Sequence, residues 1–201
     1  MFRFALKLLA AALLTVVLSA ILLARTLSTG LGVTSVRNGD WTTSIATGSP
    51  DAGVLVKATV AIGALLASTP ENSMYYRLNS VDDEPLRLNC RYRIGGGDYD
   101  ADWWSITVYG WDNYLIPNRE KRYSFNNENL ARQDDGSWNI VIAVDEQPGN
   151  WLPVGPSGAP SWRRIGDYDF DLLLRLYTPG RAYLETPGSA PLPSVTREDC
   201  R

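Results

Sequence analysis

From Leu86 to Ile94 the chain alternates without a break. Leu86, Leu88, Cys90, Tyr92 and Ile94 are the apolar set, and Arg87, Asn89, Arg91 and Arg93 stand between them. Successive side chains of a strand point to opposite faces, so this spacing builds an extended segment with one buried side and cannot form the apolar stripe of a helix. The same period returns at Trp104, Ile106 and Val108, at Trp138, Ile140, Ile142 and Val144, and at Phe170, Leu172, Leu174 and Leu176. Asp112-Asn113 and Asp134-Asp135-Gly136 lie between such runs and carry hairpin-turn chemistry. Several short strands with no alternating helices predict a β-sandwich or a barrel-like roll. With 45% apolar and 20% charged residues, the chain has the material for a packed core and is not a disordered one.

Two stretches ahead of the strands are helical. Ser49 is placed to cap, Pro50 suits the first helical position, and Asp51 favours the positive end of the helix dipole. The helix then runs through Val54, Leu55, Ala58, Ala61, Ile62, Leu65 and Leu66 and stops before Pro70. So wide an apolar stripe predicts a core-packed helix; it is too short for a membrane span and carries Lys57. Leu8–Ala24 is of another kind: 17 residues without a charge, with Thr15 and Ser19 as its only polar members. A bilayer core needs about 20 apolar residues, and about 17 is the lower limit. A cleaved signal peptide and an uncleaved anchor both begin this way. Cleavage wants small residues one and three before the cut, yet Ala20 has Leu18 before it and Ala24 has Leu22, which favours the anchor. Arg3 and Lys7 at the amino terminus predict that this end stays in the cytoplasm. The expected organisation is an anchor over 1–25, a Ser/Thr/Gly-rich tether over 26–39 and a β-domain over 40–201.

Composition excludes several chemistries. There is no histidine, which removes Ser-His-Asp and Cys-His nucleophile arrangements and imidazole-bound zinc or haem. Two cysteines cannot make a four-thiolate metal site. Setting aside Arg3, Lys7 and Arg25, 16 basic residues face 22 acids, and an acidic body argues against nucleic-acid binding. No cofactor is expected.

Four motifs follow one another in the second half: Trp103-Trp104-Ser105-Ile106-Thr107-Val108-Tyr109; Leu115-Ile116-Pro117-Asn118 with Arg122-Tyr123-Ser124; Asn150-Trp151-Leu152-Pro153; and Leu174-Arg175-Leu176-Tyr177-Thr178-Pro179. In this order the chain, from about Gly39 to its C-terminus, resembles the bacterial family called domain of unknown function 1214. Asp102 departs from the family pattern, which has a basic residue before the tryptophan pair. The resemblance implies a jelly-roll-like antiparallel β-sandwich, here with one preceding helix and an N-terminal transmembrane helix. In longer proteins the domain often follows a second uncharacterised one, numbered 1254, for which this chain is too short, so it resembles a stand-alone, membrane-anchored form. Membership implies no activity.

Several groups of residues have the composition for chemistry. Asp98, Asp100 and Asp102 follow three glycines and suggest calcium, but an EF-hand loop needs Gly at its sixth and Glu at its twelfth position, where Trp103 and Tyr109 stand. A solvated turn is the expectation there. Asp167, Asp169 and Asp171 share one strand face, where like charges repel, so that face is expected to be open to water or paired with arginines such as Arg163 and Arg164. Seven tryptophans offer core filling or flat ligand walls; Trp111 and Trp151, beside turns, are the better candidates for walls. The polar residues set between apolar strands carry most: Asn118, Arg122, Asn150, Trp151, Arg175 and Tyr177 are expected to converge at one end of the sandwich as a ligand site. An arginine clamp holding two loops is the structural alternative for Arg175.

Cys90 and Cys200 are expected to form a disulfide, since the body would sit in an oxidising compartment. The functional expectation is a protein of the bacterial inner membrane, single-pass, with its domain in the periplasm. Its partners are the membrane, through the N-terminal helix, and a small polar ligand or envelope protein. The alternatives are a carboxylate-dependent hydrolase of a carbohydrate or ester, and a purely structural assembly protein.

Overall fold

A computed structural model describes residues 2–28, 35–62, 67–155 and 169–201. The chain opens with helix α1 (Phe2–Ser28), then runs through β1 (Val36–Asn38), β2 (Trp41–Thr43) and helix α2 (Val54–Ile62). The strands β3 (Ser73–Leu78), β4 (Ser80–Val81), β5 (Glu84–Pro85), β6 (Cys90–Gly96), β7 (Ala101–Gly110), β8 (Ser124–Asn126), β9 (Trp138–Ala143), β10 (Trp151–Pro153) and β11 (Phe170–Pro179) follow. A short helix α3 (Arg181–Glu185) precedes the last strand, β12 (Ser194–Cys200).

Two sheets make the sandwich. One has the order β1-β2-β3-β11-β7-β8, the other β10-β9-β6-β12. Pairing is antiparallel except between β9 and β10, which run parallel, with Trp151 beside Val141. The small β4–β5 hairpin turns through Asp82 and Asp83, both left-handed at φ 53° and 62°, as a two-residue mirror-image turn requires. The inner faces meet in one core. Trp104 of β7 stacks on Trp138 of β9 with ring centroids 5.1 Å apart, and Tyr92 of β6 meets Phe170 of β11 edge-on at 5.7 Å. The apolar faces read from the sequence are the faces that pack: Tyr92, Ile94, Ile106, Ile140, Ile142, Phe170, Leu172, Leu174 and Leu176 are all fully buried. Leu86–Asn89 lie ahead of β6 and lose the strict alternation, Leu86 being buried, Arg87 and Leu88 both half-buried and Asn89 exposed, and Val144 is exposed because β9 has ended at Ala143.

The disulfide joins the two cysteines across neighbouring strands. Cys90 opens β6, Cys200 closes β12, and the two are register partners. Between Arg197 and Asp199 the ladder shifts by a bulge. Glu198, in that bulge, takes Arg91 at 2.7 Å and Arg93 at 2.5 Å.

Two readings of the first fifty-odd residues change. Val36–Asn38, assigned to the tether by composition, form β1, and the Asn38 amide donates to the carbonyls of Pro187 and Ala190 at 3.1 and 2.8 Å. These long-range bonds override a local composition that has no strand signal. α2 is not core-packed: no described side chain in it is buried. The expected continuation through Leu65 and Leu66, and part of the tether (29–34), fall outside the described residues.

Candidate functional site

The six polar residues singled out by sequence divide into two groups, one where the segment before β8 meets the entry to β10 and the other on the outer face of the six-stranded sheet. The first group is built by the segment before β8 and the entry to β10. The Asn118 amide donates to the carbonyls of Ile116 (3.1 Å) and Arg122 (2.9 Å), and its Oδ1 accepts from the Arg122 backbone N–H at 3.1 Å. An asparagine does this well because its side chain carries both donors and acceptors, like a peptide group. The turn so held includes Lys121 in the left-handed region at φ 50°. Arg122 then reaches across to donate to the Trp151 carbonyl at 3.0 Å, and its guanidinium stands 5.8 Å from the Phe125 ring. Asn150 is buried and accepts from the Ala131 N–H at 2.9 Å. It also donates to the carbonyls of Ala131 and Asn139 at 2.7 and 2.9 Å. Trp151 is buried against Val141 and Ala143, and its indole N–H donates to the Ala143 carbonyl at 3.0 Å. Each side chain here spends its polar atoms on backbone groups. Together they pin the loops that close one edge of the sandwich.

The second group lies on the outer face of the six-stranded sheet. Leu174 and Leu176 point into the core, so Arg175 and Tyr177 point out. Arg175 has Tyr75 and Ser105 beside it in register, and Tyr177 has Ser73 and Trp103. The Arg175 guanidinium donates to Thr107 Oγ1 at 2.9 Å and to the Tyr109 hydroxyl, and lies over the Tyr109 ring with 5.4 Å to its centre. Its partners are hydroxyls, which hold it in place and leave its charge without a counter-ion among these contacts. Tyr177 is 40% exposed and meets Trp103 edge-on at 5.3 Å. The convergence expected of all six residues is therefore not what the fold makes. Trp151 packs on Val141, on the outer side of the other sheet, and Arg175 stands on a separate layer from Asn150. Strand alternation sends neighbours in sequence to opposite faces, and β10, entered from Asn150, and β11, which carries Arg175, joined different sheets.

The outer face carries a further pair. Asp171, 1% exposed, is ion-paired with Arg77 of β3, whose guanidinium also donates to Asn113 Oδ1 at 2.9 Å. Asp169, also buried, accepts from the Leu88 N–H at 3.0 Å and lies 3.9 Å from Arg87. These two carboxylates are buried and paired with arginines, one of the two outcomes expected of that face, and the arginines are Arg77 and Arg87. Asp167, Arg163, Arg164 and Trp162 fall outside the described residues. In the glycine-led turn, Asp98 pairs with Arg132 at 2.6 Å. Trp111 is buried, as are Trp41, Trp104 and Trp138. The sequence reading missed Arg77, although Met74, Tyr76 and Leu78 around it have the same period as the strands it found.

Burial pushes the Asp171 carboxyl up to about 6 against the pull of Arg77. The folded chain thus holds this proton more tightly than the unfolded chain, whose carboxyl has its ordinary value of 3.8. The stabilisation is complete below the unfolded value and is lost as pH rises through the folded one. Between about pH 5 and about pH 7.5 this group should cost the protein about 1.4 kcal/mol. Urea unfolding at the two pH values should show that drop, and Asp171→Asn should flatten it. An unchanged slope in the variant would assign the pH dependence elsewhere.

The family model described as "Protein of unknown function (DUF1214)" matches residues 71–181, a narrower span than the motifs suggested. No curated protein matches the sequence. Among solved structures, the VPA0106 protein from Vibrio parahaemolyticus is similar at a TM-score of 0.57 and 20% identity. The match covers 74% of this chain and 36% of that one, so the chain spans little more than a third of the Vibrio protein's length. A putative uncharacterized protein from Burkholderia cenocepacia is similar at a TM-score of 0.45 and 18% identity, covering 90% of this chain and 40% of that one. The Vibrio structure supports the fold and nothing beyond it.

Proposed function

The chain belongs to the DUF1214 family of proteins of unknown function, and we propose that it acts as a membrane-tethered, non-catalytic binding domain of the bacterial envelope. In this reading α1 crosses the inner membrane with its N-terminus in the cytoplasm, and the sandwich stands in the periplasm as one domain from about residue 40 onward. The observation that carries it is a coincidence of two features. A helix of 22 residues, Phe4–Arg25, has the length and apolarity of a span and none of its most apolar window is buried in the protein. The two cysteines of the same chain are joined to each other, which suits an oxidising compartment.

The binding surface in this proposal is the outer face around Arg175 and Tyr177. Arg175 is held by Thr107 and Tyr109, so its cation is oriented before any ligand arrives, and preorganised groups bind at a lower ordering cost. The Trp103–Tyr177 pair beside it offers an aromatic edge. Such a surface suits a small polar ligand with an anionic group, or a surface of that chemistry on an envelope protein. The Asn118, Arg122, Asn150 and Trp151 cluster serves this reading as scaffold.

Alkaline phosphatase fused after Arg201 should be active in cells, and the unreduced protein should contain no thiol that takes an alkylating reagent. An inactive fusion or two free thiols would overturn the envelope assignment. In a thermal-shift screen of anionic small molecules, a compound that raises the melting midpoint of the wild type should raise that of Arg175→Ala much less. Equal shifts in both proteins would remove Arg175 from the binding surface.

A further inference from the structure

α2 has an apolar composition that the protein does not use. Of its nine residues, Lys57 and Thr59 are the polar ones and none is acidic. Val54 is 83% and Leu55 53% exposed, Lys57 and Ala61 are exposed too, and Val56, Ala58, Thr59 and Val60 are only half-covered. Ile45, in the loop leading to α2, is 48% exposed. A helix apolar on nearly every side belongs in an apolar medium, either a core or a membrane. Contiguous exposed apolar surface marks a contact with something else.

The neighbour of α2 identifies the medium. Among the described elements α2 packs chiefly with α1, the helix read above as the membrane span. An element that touches a spanning helix lies close to the bilayer. Nine helical residues rise only about 13 Å, against a hydrocarbon core of about 30 Å, so α2 cannot cross. Its one cation, Lys57, sits on a long stem and donates to the Pro50 carbonyl at 2.9 Å, in the turn ahead of the helix. A lysine of this kind keeps its charge among phosphate headgroups while its stem stays in apolar surroundings.

We propose that α2 is a second membrane contact: it lies in the interface of the leaflet on the sandwich's side and holds the β-domain against the bilayer. The occupant of its exposed face is lipid. The proposal rests on the reading of α1 as a span, and the test separates the two.

The test uses the full chain in proteoliposomes of phosphatidylethanolamine and phosphatidylglycerol. Both native cysteines are in the disulfide, so a single added cysteine takes a nitroxide label alone. Labels are placed by Val54→Cys on α2, by Leu13→Cys in the middle of α1 and by Tyr114→Cys on the β-domain. All three positions are exposed, so packing is left intact. Power-saturation spectra compare collisions with oxygen, which concentrates in lipid, and with a water-soluble nickel chelate. The oxygen-to-nickel ratio at Val54 should approach that at Leu13 and exceed that at Tyr114 by about tenfold. A Leu13 label in lipid with a Val54 label in water would overturn the α2 proposal and leave the span standing. A Leu13 label in water would remove the span and the proposal with it. A Val54 label shielded from nickel, with spin–spin broadening that disappears on dilution with unlabelled chain, would assign the face to a second copy and overturn the lipid assignment.

Discussion

Opening the Cys90–Cys200 disulfide should lower the stability of the sandwich by about 4–5 kcal/mol if loop entropy sets the scale. The two cysteines are 110 residues apart, so the bond closes a loop that contains most of both sheets. Its removal releases the unfolded chain from that constraint. In the folded protein the bond ties down β12, an edge strand of the four-stranded sheet whose side chains are mostly exposed. The variant of choice is Cys200→Ser. Cys200 is exposed, and the Cys90 thiol left behind is a small apolar group suited to its buried place. Guanidinium unfolding should show a midpoint well below that of the oxidised wild type, and reduced wild type should match the variant. Amide exchange should rise most along 194–200. A variant with an unchanged midpoint and protected β12 amides would show that Glu198, with its two arginine partners, and the ladder alone hold the strand.

Asn150→Ala should be nearly as costly, at about 3 kcal/mol, although it removes no apolar surface. The asparagine makes three hydrogen bonds, to both backbone groups of Ala131 and to the Asn139 carbonyl. Each such bond contributes about 1 kcal/mol net, and a partner left unpaired in a buried place costs more. Alanine cannot replace any of the three, and the side chain it replaces is 9% exposed. The control is Tyr177→Ala, at an exposed aromatic edge, where a change of about 1 kcal/mol or less is expected. Urea unfolding of both variants reads the contrast. If Asn150→Ala kept wild-type stability, the residue would not be the staple described here, and a binding role for it would return.

The strands were legible because their information is local and repeated. Trp104-Ile106-Val108 and Phe170-Leu172-Leu174-Leu176 each declare a buried face without reference to anything else in the chain, and both faces pack as declared. The motif order placed the chain in its family for the same reason. The cysteine pair was legible by count, since two residues allow only one intrachain bond. The polar residues were read with the same local logic, and there it failed. Asn118 and Arg122, four apart, did bond to each other, but whether Arg175 joined Asn150 depended on which sheet each segment entered.

α2 shows the limit most clearly. Its composition asks for apolar surroundings, and nothing in that composition distinguishes a core from a bilayer; only the fold, which sets it beside α1 with none of its described side chains buried, bears on the choice. For Asp171 the sequence left open water or an arginine, and β3 brings Arg77 to its side from 94 residues away. The sequence by itself determined the strand faces, the family, the disulfide and the apolar character of α1 and α2, because each follows from residue type and spacing alone. The partners of Asn150, Asp171, Arg175 and α2 were decided only by the tertiary structure, because a polar or apolar side chain carries a demand for a partner but no address for it, and the address is supplied by the register and layering of strands far apart in the chain.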